Sequence, residues 1–111
     1  SMYGILGTNQ GASPYHAANA GVINFTKAAA AEFAPMGITV NAICPGYFTT
    51  ELTVDTLETE EFKQYMEITV PLTRPGKEGE LNAGAIFLGS EEASYVTGIA
   101  LPIDGGWISI K

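Results

Sequence analysis

A chain of 111 residues with 46% apolar content can form one small domain or part of a larger one, and it is too hydrophobic for disorder. Twelve acidic against five basic residues give a net charge of −7, and the scattered cations Lys27, Lys63, Arg74, Lys77 and Lys111 exclude a nucleic-acid-binding face. No run of about 18 apolar residues spans a membrane, no signal-peptide pattern opens the chain, and the lone Cys44 permits no internal disulfide, which together predict a cytoplasmic protein.

Residues 1–12 read as a flexible connection. Gly4, Gly7 and Gly11 do not make a phosphate-binding turn, because no apolar strand precedes them and their spacing is wrong. Ser13 is the expected N-cap, with Pro14 at the first helical position. The helix should run to about Pro35, with Gly37 as its stop and Val22, Phe25, Ala29 and Phe33 as its apolar stripe. Residues 38–44 have the β-branched, apolar pattern of a buried parallel strand, ended by Pro45-Gly46.

Residues 49–69 are more polar and could form a lid, in which Thr59 caps a helix over 60–68. A Pro/Gly-rich connection over 71–79 leads to a helix over 80–88, and 99–103 form a last short strand ending at Asp104-Gly105-Gly106. This order implies α/β with a parallel sheet. Two strands do not make a stable sheet by themselves, so further structure must complete it.

Tyr15 and Asn19 stand four apart in Ser13-Pro14-Tyr15-His16-Ala17-Ala18-Asn19 and therefore share a helix face. A phenol acts as acid or base near neutral pH only when a neighbour lowers its pKa from about 10. A lysine at position 19 would do this. An ammonium about 5 Å from a phenolate is worth roughly 3 kcal/mol at an effective dielectric of ~20, or about two pKa units. Asn19 supplies no such charge. Lys27 lies roughly 18 Å along the axis, and His16 points about 100° off the Tyr15 face. This position alone predicts a rate loss of about a hundredfold or more. Cys44 reads as a core residue, and Tyr95 and Trp107 as packing or interface residues. Ser1, His16 and Asp104 lack any nucleophile-elbow pattern that would make them a triad.

Several blocks carry a family resemblance: Tyr15-x-x-x-Asn19, Phe25-Thr26-Lys27, Val40 through Leu52 with its central Cys44-Pro45-Gly46-Tyr47-Phe48-Thr49-Thr50, Phe87-Leu88-Gly89-Ser90, Ala93 through Gly98, and Asp104-Gly105-Gly106. In order and spacing they resemble the short-chain dehydrogenase/reductases, most closely the gluconate 5-dehydrogenase and 3-oxoacyl-carrier-protein reductase branches. The resemblance implies that residues 1–111 form the C-terminal half of a Rossmann-like doubly wound parallel sheet. Another chain or an N-terminal half carrying the glycine-rich dinucleotide loop would complete it.

The resemblance also implies site roles. Tyr15 is the proton donor to a substrate carbonyl, and position 19 belongs to the lysine that binds the nicotinamide ribose and lowers the tyrosine pKa. Asn19 could still hydrogen-bond a ribose hydroxyl. Ser1, with Gly4 three residues on, matches the catalytic serine; a leading Ser-Met is equally what a cleaved tag leaves. Pro45, Gly46 and the Phe48 backbone would edge the nicotinamide of NAD or NADP, and Thr50 would bond its carboxamide or pyrophosphate. No metal is implied. The expected substrate is a small-molecule carbonyl or secondary alcohol, and the expected assembly a homo-oligomer. The chain alone should not transfer hydride, and a non-catalytic, domain-swapped remnant is the alternative.

Overall fold

The longest element in the computed structural model, which describes residues 1–111, is α1 (Ser13–Phe33). Its Ala28–Ala31 run has high intrinsic helix propensity, and Pro14 sits in the first turn, where no N–H is required. The cap departs from expectation. Ala12 is the N-cap, Ser13 lies inside the helix, and no side chain caps the end. A 3-10 turn over Ala34–Met36 then leads to Gly37, whose φ of 76° closes the helix.

The expected stripe on α1 holds only in part. Thr26, Ala29 and Ala30 are buried, whereas Val22 and Phe25 face outward, Phe25 at 70% exposure. Small side chains let α1 approach its neighbours closely, and the larger apolar residues on the other side have nothing to cover them.

Strands β1 (Ala42–Pro45) and β2 (Ala100–Ile103) pair in parallel, with Ala42 opposite Ala100 and Pro45 opposite Ile103. The ladder begins later than residue 38. Two residues before β2, Gly98 adopts a φ of 78°, which interrupts the extended backbone. Residues 40 and 41 are instead tied outside the ladder: Val40 N donates to Thr97 Oγ1 and Val40 O accepts from Gly98 N, while Asn41 Nδ2 donates to Val96 O and its Oδ1 accepts from Ile99 N. Cys44 is buried as expected, and that burial pushes its thiol pKa up.

Helices α2 (Val54–Leu57) and α3 (Glu60–Thr69) fill the 49–69 segment. Thr59 caps α3 by accepting from Phe62 N, and Glu60 and Glu61 sit in its first turn, where negative charge favours the helix dipole. Helix α4 (Glu78–Leu88) starts two residues before the expected position, because Glu80 reaches back to accept from Lys77 N at 2.9 Å. It crosses β2 at Gly84, where an added methyl would meet Ile103 Cδ1 at 2.5 Å.

The central apolar cluster is Met2, Met66, Val70 and Trp107. Met2 belongs to a 3-10 turn over Met2–Gly4, so the expected flexible connection is in fact packed at its start. After β2, Asp104 fixes the turn: its carboxylate oxygens accept from Gly106 N and Ile108 N, each at 2.9 Å. This lets tandem positive-φ glycines carry Trp107 into the cluster.

Only ten of 111 residues are buried, and the radius of gyration is 15.4 Å against about 13 Å for a compact domain of this length. The molecule is an open two-stranded parallel sheet flanked by helices, as expected for part of a doubly wound sheet.

Candidate active site

In open α/β sheets, ligands gather at the carboxyl ends of the strands. Here that edge is formed by Pro45-Gly46 after β1 and Asp104-Gly105 after β2. The two turns touch closely: a methyl added at Gly46 would meet Asp104 Cα at 2.7 Å. Any side chain there would push the two turns apart.

Tyr15 sits in the first turn of α1 with its side chain half exposed, at 53%. Its ring meets Tyr3 edge-on at 5.9 Å between centroids. Asn19 is on the same face, as four-residue spacing requires, but its amide turns back along the helix. Nδ2 donates to the Tyr15 carbonyl at 2.8 Å, and Oδ1 accepts from the Ser1 amino nitrogen at 3.3 Å. The Ser1 hydroxyl caps the 3-10 turn by accepting from Tyr3 N at 3.1 Å. Gly4 allows that turn to lie on α1, since a methyl there would strike the Asn19 backbone at 2.8 Å. Ser1, Tyr15 and Asn19 are therefore neighbours, with Ser1 and Asn19 engaged in local hydrogen bonds.

Residues 47–50 leave the strand end and pair with the 76 region: Gly76 N donates to Tyr47 O and Thr49 N to Gly76 O. Gly76 is itself held beneath the Phe48 ring, which an added methyl would meet at 2.5 Å. Thr50 Oγ1 shares a 3.0 Å hydrogen bond with Thr53 Oγ1, and Thr53 Oγ1 donates to Phe48 O. Thr50 lines a cavity of about 520 Å³ with Phe48, Glu51, Leu52 and Glu78 among its walls. Two carboxylates in that wall oppose a pyrophosphate. Pro45, Gly46 and Phe48 offer an uncharged edge to a flat ring, and no glycine-rich loop joins a strand to a helix to hold the phosphates of a dinucleotide.

The sequence assigned no role to three phenols. Tyr3, Tyr47 and Tyr65 form a hydrogen-bonded chain, with O–O distances of 3.0 Å between Tyr3 and Tyr47 and 3.2 Å between Tyr47 and Tyr65. Burial, followed by these bonds, raises the Tyr47 pKa above the ordinary 10, so this phenol stays protonated. Tyr3 also stacks on His16 at 4.8 Å. His16 Nδ1 lies 2.7 Å from Ala12 O, and a carbonyl only accepts, so Nδ1 carries the proton. In the neutral ring Thr8 then donates to Nε2 across 3.0 Å. The only signals for the three phenols were Tyr3 two residues after Ser1 and Tyr47 directly after Pro45-Gly46. Their convergence depends on the fold. No three His, Cys, Asp or Glu side chains converge as metal ligands, and no helix is long and apolar enough to cross a membrane.

Residues 1–108 match the family model described as enoyl-(acyl carrier protein) reductase. Nodulation protein G of Azospirillum brasilense is 45% identical over 106 residues, covering 96% of this chain and 42% of its own length. Galactitol 2-dehydrogenase (L-tagatose-forming) of Cereibacter sphaeroides is 45% identical over 109 residues, with the same two coverages. The solved structure of a gluconate 5-dehydrogenase from Burkholderia cenocepacia J2315, in complex with NADP and tartrate, superposes with a TM-score of 0.89 at 36% identity, covering 98% of this chain and 42% of that one. The chain thus spans 42% of the length of each of these proteins.

Proposed function

The chain belongs to the short-chain dehydrogenase/reductase family, and from that premise we propose that it carries the tyrosine side of an NAD(P)-dependent oxidoreductase interconverting a carbonyl and a secondary alcohol. The observation that carries this reading is the placement of Tyr15, exposed at the start of α1 rather than packed in the core. Tyr15 holds the proton exchanged with the substrate oxygen. Ser1, which is bonded to Asn19 through its amino nitrogen, orients that oxygen, and Pro45, Gly46, Phe48 and Thr50 edge the nicotinamide. The cofactor, when bound, would supply the hydride for carbonyl reduction and accept it in alcohol oxidation.

Position 19 is where the machinery is weakened. The asparagine amide is held on the Tyr15 carbonyl and brings no positive charge to the phenol. The phosphates of NAD or NADP need a cradle that residues 1–111 do not form, so the chain alone transfers no hydride. Residues 1–111 act as a partial dehydrogenase domain within a homo-oligomer or beside a dinucleotide-binding half. A non-catalytic, self-associating module is the second reading, favoured by the outward-facing Phe25, Leu52 and Ile86.

Fluorescence titration of the purified chain with NADH and NADPH tests the division of labour. Binding no tighter than about millimolar is expected. Micromolar affinity for either would refute the claim that residues 1–111 lack the phosphate-binding half of the site.

A further inference from the structure

The phenol chain borders a cavity of about 390 Å³ between the Met2–Gly4 turn and α3, walled by Tyr3, Tyr47, Tyr65, Phe62, Gln10 and Glu61. Tyr15 is not in the wall; it is linked to the cavity through Tyr3, whose ring lines the cavity and meets the Tyr15 ring edge-on. Its chemistry is specific. Thr59, also in the wall, has its hydroxyl occupied, donating to Thr56 O and accepting from Phe62 N. The three phenols have three O–H groups, of which two bond within the chain. One donor and several lone pairs therefore remain at its ends. Gln10 adds an amide donor and acceptor, and Glu61 adds an acceptor able to take two hydroxyl hydrogens. The rings of Phe62, Tyr47 and Tyr65 meet one another at 5.2 to 5.9 Å and offer flat apolar faces to C–H groups. No lysine or arginine lines the cavity.

We propose that this cavity seats the substrate of the Tyr15 site, and that Tyr3, Tyr47, Tyr65 and Glu61 select a small, neutral, polyhydroxylated molecule, a sugar alcohol or its ketose, over a carboxylate or an apolar alcohol. A carboxylate there faces Glu61 with no cation to offset the repulsion. An apolar alcohol leaves the phenol ends and Gln10 without partners. The assignment rests on Tyr15 being the reacting group, because it takes the cavity as the substrate's seat.

Binding is measured apart from turnover, by saturation-transfer NMR on the full chain with sorbitol, gluconate and cyclohexanol as probes. Sorbitol is expected to take up saturation, with gluconate and cyclohexanol binding at least about fivefold more weakly, the factor for one hydrogen bond of about 1 kcal/mol. Tyr65→Phe should weaken sorbitol about fivefold by the same reasoning. Glu61→Gln, an exposed change that leaves the core untouched, should narrow the gap between sorbitol and gluconate. Three results would each overturn the proposal: gluconate or cyclohexanol binding as tightly as sorbitol, no saturation of any probe, or a sorbitol affinity indifferent to both variants. Tyr65-dependent sorbitol binding combined with hydride transfer that never depends on Tyr15 keeps the cavity's selectivity and overturns only the reading of Tyr15.

Discussion

Asn19 is the residue on which the proposed chemistry turns. Its side chain has both polar ends occupied within 3.3 Å, on the Tyr15 carbonyl and the Ser1 amino nitrogen. The bond to Tyr15 O is exposed and so adds little to stability. Asparagine is also a poorer helix former than alanine by several tenths of a kcal/mol. These effects nearly cancel, so Asn19→Ala should leave unfolding by urea within about 0.5 kcal/mol of the parent. A loss above about 1 kcal/mol would mean that the amide braces the Met2–Gly4 turn against α1. The sequence made the missing ammonium legible, because residue identity and four-residue spacing suffice for that. The backward turn of the amide was not legible, because it depends on where Ser1 comes to rest eighteen residues away.

At the scale of elements, helix α4 is set by an ion pair. Arg74 donates to both Glu80 carboxylate oxygens, at 2.7 and 2.8 Å, and Lys77 N adds a third bond. The Arg74 guanidinium and then the Lys77 N–H hold the Glu80 carboxyl down to about 2, below its ordinary 4.5. A carboxyl with a lowered folded pKa contributes stability that is complete above the ordinary value and is lost as pH falls toward the folded one. Comparing the Tm of the parent with that of Glu80→Gln should show a deficit at pH 7 that shrinks below about 4.5 and vanishes near 2. A gap that does not change with pH would show that the pair does not link to folding.

The same elements show what local sequence determines. Helix α3 and strand β2 were legible because Thr59 and the Asp104-Gly105-Gly106 turn act within a few residues. The late start of β1 was not, since it answers to Gly98, two residues before the partner strand begins. The capping of α4 by Glu80 was not, although it spans only three residues, because lysine is not one of the usual cap residues and Lys77 gives no start signal. The cavity between the first turn and α3 was hidden because its phenols are up to 62 residues apart and meet only through Tyr47.

For the whole molecule, a sheet of two strands, ten buried residues and outward-facing Phe25, Leu52 and Ile86 describe a surface built to be covered. That agrees with a chain spanning 42% of its relatives' length. In the proposed function this portion brings a working tyrosine and a weakened position 19 to a dehydrogenase site. Because Tyr15 is half exposed, solvent screening reduces the value of an ammonium at 19, and the expected gain from restoring it is about tenfold to a hundredfold. The most direct measurement joins residues 1–111 behind the remaining N-terminal part of the Cereibacter sphaeroides galactitol 2-dehydrogenase and follows galactitol oxidation with NAD and NADP. Slow turnover is predicted with Asn19, turnover faster by that factor with Asn19→Lys, and none with Tyr15→Phe in either background. Equal rates with asparagine and lysine, or activity that survives Tyr15→Phe, would contradict these roles for Tyr15 and position 19.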